Sequence, residues 1–110
     1  MDEIADVSVT AASADWLADF ARAVVTDRLA ACGNIVPQIR SIYRSEGAIE
    51  DEGEALVVFH TRASLVPELI ERVNQDHPYD TPQVLAVPVM NANPGYQQWV
   101  ITETREPKGT

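Results

Sequence analysis

One cysteine, two histidines and eight basic side chains are all that this sequence offers to several common functional chemistries. With Cys32 alone, a disulfide framework within one chain is excluded, and so are four-cysteine zinc and iron–sulfur centres. A single thiol beside Leu29-Ala30-Ala31 reads first as a small buried hydrophobe. Eight Lys and Arg against 17 Asp and Glu leave a formal charge of −9. Nucleic-acid affinity comes mostly from neutralising phosphates, so this balance excludes a nucleic-acid partner and favours cations only loosely. No stretch approaches the ~20 apolar residues of a membrane span. The opening "MDEIADVSV" carries no basic leader, and a soluble, cytoplasmic protein is the expectation. Internal repeats, linkers and low-complexity runs are missing too.

What is present is enough for a core. The chain has 110 residues, 45% hydrophobic and 23% charged, which predicts a single folded domain over residues 1–110. From Asp6 to Thr10, Val7 and Val9 alternate with polar residues, as in a half-buried strand. Ser13 can cap a following helix, on which Trp16, Leu17, Phe20, Ala21, Val24, Val25 and Leu29 recur at helical spacing, with Gly33 after Cys32 as its stop. "NIVPQIRSIYR" reads as a strand whose apolar parity slips, which calls for a bulge between Ile39 and Ile42. "SEGAIEDEGE" reads as a polar hairpin tip, and Ala55–Phe59 as a central strand covered on both faces. Ser64 can cap a second helix that must end by His77, because the residue before a proline is pushed out of the helical region. Val84–Val89 forms a last strand, and Asn93-Pro94 starts a final helix with Tyr96, Trp99 and Val100 on its apolar face. "REPKGT", about 105–110, reads as a frayed tail.

The order βαββαβ plus a helix predicts an α+β, ferredoxin-like sandwich: one antiparallel sheet with two helices on one face. The second and third strands with their tip are longer than a small sheet needs, so the excess must project or pair with another subunit.

"DRLAACGNIVPQIRSIYRSEGAIE", "HPYDTP" and "NPGYQQWV" follow one another at the spacing of the CutA family, the divalent-cation tolerance proteins, and the chain resembles that family from its first strand to its last helix. The resemblance implies a ferredoxin-like protomer, PII-like in shape, that assembles into a homotrimer whose long second and third strands reach across to neighbours. It also implies a tie to copper and other divalent metals. The copper site known for bacterial members pairs a cysteine at the end of the first strand with two histidines ahead of Pro-Tyr. Here Val9 stands at the first position and Asp76-His77 at the pair. Around the hairpin glycine, where the family has tryptophan and lysine, this chain has Ser45 and Ala48.

The candidate residues each have two readings. His77 beside Asp76 could hold copper or another divalent cation, but a residue before proline in a helix-ending turn has packing reasons to be there, and these weigh more. Cys32 is a further metal candidate. His60 reads as a satisfied sheet histidine on the face opposite Phe59. Glu50, Asp51, Glu52 and Glu54 read as a solvated tip, since they lack EF-hand spacing. Tyr43, Arg44 and Glu46 are candidates for a trimer interface, or for an inter-subunit cleft. Tyr96 and Trp99 read as core. No catalytic residues emerge: a P-loop, an HExxH motif and a Ser-His-Asp signature are all missing, and the first loop lacks the phosphate-holding arginine of acylphosphatases. No metal is required for folding. A PII-like small-ligand sensor and a docking scaffold with no ligand remain alternatives.

Overall fold

A computed structural model describes residues 2–109. Eight elements follow in order: β1 (Ile4–Ala11), α1 (Ala14–Thr26), β2 (Cys32–Ser45), β3 (Ala48–Arg62), a 3-10 turn (Ala63–Leu65), α2 (Val66–Asp76), β4 (Val84–Pro88) and α3 (Pro94–Glu103). The strands form one antiparallel sheet in the order β2-β3-β1-β4, the ferredoxin-like arrangement expected.

Side-chain parity divides the sheet. Val7, Val9, Val57 and Phe59 point to one face and are fully buried with Leu17, Val24, Leu65, Leu69 and Val73 from the helices. Phe20 stacks on Trp16 at 5.0 Å and meets Phe59 edge-on at 6.0 Å, which fixes α1 over β3. Gly33 lies on this face where a Cβ would come within 3.1 Å of the Phe59 ring and 3.2 Å of Val57, a tight fit that glycine relieves. On the other face α3 covers one end, where Val100 packs with Ile4 and Ala31.

α1 stops earlier than its periodicity predicts. Ser13 does cap it, accepting the Trp16 N–H at 3.1 Å, but the helix ends at Thr26 and Arg28 turns the chain at φ 60°. Gly33 is therefore not its stop, and Cys32 opens β2. The bulge falls between Val36 and Ile39, at Pro37-Gln38, because Pro37 has no N–H to give the ladder; it is not between Ile39 and Ile42. The hairpin tip shrinks to Glu46-Gly47, both at positive φ, and the acidic stretch Glu50–Glu54 is strand. Both faces of this arm lie beyond the helices, so charged residues pair there as well as apolar ones. Arg40 holds Asp51 in a bidentate pair at 2.8 and 2.7 Å. The arm stretches the molecule to 46 Å in a body 29 by 24 Å across. Along β3, Leu56 and Val58 stay half-exposed, so Ala55–Phe59 is covered fully on one face only.

The proposed caps differ as well. Ser64 Oγ donates to Asp2 instead of capping α2, and Asn93 occupies the cap position of α3 without a side-chain bond. At the far end of α3 two arginines take over. Arg62 donates to the carbonyls of Ile101 and Thr104 and to the Thr104 hydroxyl, while Arg28 donates to the carbonyls of Thr102 and Glu103. Cations at a helix C-terminus satisfy carbonyls that have no intrahelical partner. The segment after α3 is anchored rather than frayed through Lys108: Arg105 pairs with Glu68 at 2.8 Å, and the Lys108 N–H reaches the other Glu68 oxygen at 3.0 Å. Thr110 lies outside the described residues.

Candidate functional site

His77 closes α2, as the following proline requires, with φ −67° and ψ 139°. Its ring is buried between Trp16 and Tyr79, with centroids 5.0 and 4.7 Å away. Nε2 donates to the Thr10 carbonyl at 2.8 Å and Nδ1 accepts the Tyr79 N–H at 3.0 Å. Both nitrogens of the neutral ring are therefore committed to backbone, and no lone pair is left for a metal. Asp76 turns to Arg72, accepting at 2.8 Å, and Arg72 bridges on to Asp27 at 2.8 Å. Val9 is buried in the core. The Pro-Tyr motif thus pins the end of β1 to the segment that leads into β4.

Cys32 lies on the opposite face of the sheet, so the structure does not bring it together with Asp76 and His77. It meets other partners. The register sets Cys32 beside His60 and His60 beside Asp6, a row across β2, β3 and β1. Tyr96 reaches this row from α3. Cys32 Sγ is 3.4 Å from His60 Nδ1 and 3.3 Å from Tyr96 Oη, and those last two atoms are 2.6 Å apart. Asp6 Oδ1 is 3.5 Å from the other ring nitrogen, Nε2. The Tyr96 hydroxyl is pushed up to about 12, first by burial, then by its bond to Cys32 and the charges of Cys32 and Asp6. Among the described residues no three His, Cys, Asp or Glu side chains converge on one point; the third polar side-chain atom at this cluster is the Tyr96 hydroxyl.

From the sequence, His60 and Tyr96 are separate features, a satisfied sheet histidine and a core aromatic. His60 is indeed satisfied and opposite Phe59. The convergence with Cys32 depends on the β2–β3 register, which the bulge at Pro37-Gln38 conceals.

Tyr43 and Arg44 lie in the outer half of β2 and Glu46 in the turn at the tip, all exposed. From the arm's root outward to Tyr43, a cleft of about 660 Å³ opens between β1, the arm and the segment before β4, lined by Thr10, Tyr43, Glu52, Glu54, Tyr79 and Gln83. The Tyr43 phenol is raised above its usual value, first by its hydrogen bond to Glu52. Tyr79 is raised by burial, then by the charges of Glu54 and Glu52. The cleft is thus an aromatic and acidic one, repellent to phosphates.

A family model for CutA1 divalent ion tolerance protein matches residues 6–103. A mouse protein named Protein CutA is 49% identical over 94 residues, which cover 84% of this chain and 53% of that one; the chain spans about half the length of such relatives. The divalent-cation tolerance protein CutA of Thermus thermophilus is 38% identical over 104 residues, covering 94% of this chain and 99% of that one. The crystal structure of CutA1 from Oryza sativa superposes with a TM-score of 0.93 at 37% identity, covering 96% of this chain and 97% of that one.

Proposed function

The chain belongs to the CutA1 divalent ion tolerance family, and from that premise we propose that it serves divalent-cation tolerance, copper included, as a homotrimer and without catalysing a reaction. The observation that carries this reading is the sheet face away from α1 and α2. Val36, Leu85 and Val87 are exposed there. Leu56 and Val58 between them are only half covered. Apolar side chains on β2, β3 and β4, divided by Asp6 and Ser8 of β1 and bordered by two open strand edges, support an association surface. The arm bearing Tyr43, Arg44 and Glu46 projects from the same sheet, which supports contact with a neighbouring copy. Its tip lacks the tryptophan and lysine of the family, so the contacts there are this chain's own.

A net charge of −9 draws cations to the assembly, and copper binding is weak and borne by few donors. A reducing, cytoplasmic setting suits the single unpaired thiol, although relatives include chloroplastic and periplasmic proteins. Calorimetric titration of the full chain with copper(II) tests the metal half of this reading. Saturable, stoichiometric heat is expected, and heat that never saturates contradicts it.

The aromatic, acidic cleft favours a second reading, a PII-like sensor of a small cationic ligand. Its test is a ligand screen read by Tyr fluorescence, with loss of response in Tyr79→Phe.

A further inference from the structure

We propose that Cys32 Sγ and His60 Nδ1, with Tyr96 Oη as a weaker third contact, form a binding site for a thiophilic divalent cation of the zinc or cobalt class. The inference rests on the divalent-cation reading above and gives it a location, on the face opposite Asp76-His77.

Geometry is the first support. Around a tetrahedral zinc-like ion with ordinary bond lengths, a sulfur and an imidazole nitrogen lie about 3.5 Å apart, and a nitrogen and an oxygen about 3.3 Å. The two sulfur distances here, 3.4 and 3.3 Å, are already close to that spacing. Only the 2.6 Å separation of His60 Nδ1 and Tyr96 Oη must open, and Tyr96 sits on α3, outside the strand ladder.

The strands supply the second support. Cys32 and His60 are paired residues on adjacent strands, so backbone bonds hold both donors without help from a cation. Asp6, one strand further on, faces Nε2. That carboxylate favours the tautomer with its proton on Nε2, which aims the Nδ1 lone pair at the thiol and the phenol, the outer-shell arrangement common behind metal-bound histidines. Without the cation, that lone pair accepts the Tyr96 hydroxyl.

Charge is the third. The Asp6 carboxylate lies 3.5 Å from His60 Nε2, on the same sheet face as Val87, so a cation held here has a carboxylate close by in one chain and in the assembly. Binding exchanges the thiol proton for the metal: Cys32 releases one proton to solvent, a sulfur–metal bond and a nitrogen–metal bond form, and water completes the shell. Tyr96 keeps its proton.

Cobalt(II) titration of the full chain, read by absorption, tests the site. A sulfur-to-cobalt charge-transfer band should rise in the near ultraviolet, with visible bands of tetrahedral strength. Cys32→Ser should abolish the near-ultraviolet band. His60→Gln should weaken binding by about tenfold or more, and Asp6→Asn by a smaller factor with the sulfur band kept. Tyr96→Phe should keep the band. Circular dichroism and urea midpoints show that each variant folds, and Asp6→Asn, a surface change, serves if Cys32→Ser does not. Cobalt bound without a sulfur band, or equally well by Cys32→Ser, overturns this site and leaves the divalent-cation reading standing. No binding of cobalt, zinc or copper by the wild-type chain overturns both.

Discussion

The Nε2 of His77 donates to the carbonyl oxygen of Thr10 across 2.8 Å, tying the last residue of one helix turn to the end of the first strand, 67 positions earlier in the chain. Because Nδ1 simultaneously accepts the Tyr79 N–H, the ring acts as a two-sided backbone clamp. His77→Ala should therefore lower stability by about 2–3 kcal/mol, through a buried carbonyl left without its donor and a cavity beside Trp16. Urea unfolding measures this. Copper affinity should not change, and a large loss of copper binding in a folded His77→Ala protein would count against the structural role.

The docking of α3 rests on arginine as much as on apolar contact. Arg62 is only 12% exposed and serves three acceptors at the helix end. Arg62→Ala should cost about 2–3 kcal/mol, the expected toll of several buried acceptors losing a charged donor. It should also speed the reaction of Cys32 with a thiol reagent, since Tyr96 leaves with α3. An unchanged thiol rate would show that α3 stays seated without Arg62.

Gly33 stands against Phe59 and Val57, both fully buried. Gly33→Ala should destabilise by about 1–2 kcal/mol through overpacking. A denaturation midpoint equal to that of the wild type would mean that the β2–β3 pair can spread.

The anchor of the C-terminal segment responds to acid. Arg105, first among the causes, holds the Glu68 carboxyl below the usual glutamate value, with help from the Lys108 N–H and against the effect of burial. A depressed carboxyl stabilises the fold while it is ionised. Its contribution is complete above the ordinary value of about 4.3 and disappears as pH falls through the lower folded value. The pair is partly exposed, so the effect is modest, about 0.5 kcal/mol. Urea midpoints for wild type and Arg105→Ala should differ at pH 7 and converge in acid below the Glu68 transition. A difference that persists there would assign the anchor to something other than this ion pair.

Much of the architecture is legible in the sequence because its signals are local. The helical spacing from Trp16 to Val24, the Ser13 cap, and His77 as a helix end forced by Pro78 all depend on residues a few positions apart. The element order follows from them. Three features escape such reading. α1 ends through Arg28 in a left-handed conformation, which no glycine marks, while Gly33, the residue that resembles a stop, is needed for packing instead. Glu50 to Glu54 form strand although they read as a tip, because both faces of the arm lie beyond the helices and the alternation that betrays a half-buried strand is lost. The Cys32–His60–Tyr96 cluster joins residues 28 and 64 positions apart, through a register that the Pro37-Gln38 bulge resets.

The central claim is that the open sheet face and the arm assemble three copies, and the native mass in solution tests it most directly. Light scattering of the full chain should give three times the 12.1 kDa of one protomer, steady on dilution. Val87→Arg, on the exposed face, should drive it toward the monomer. A wild-type mass of one chain would contradict the account.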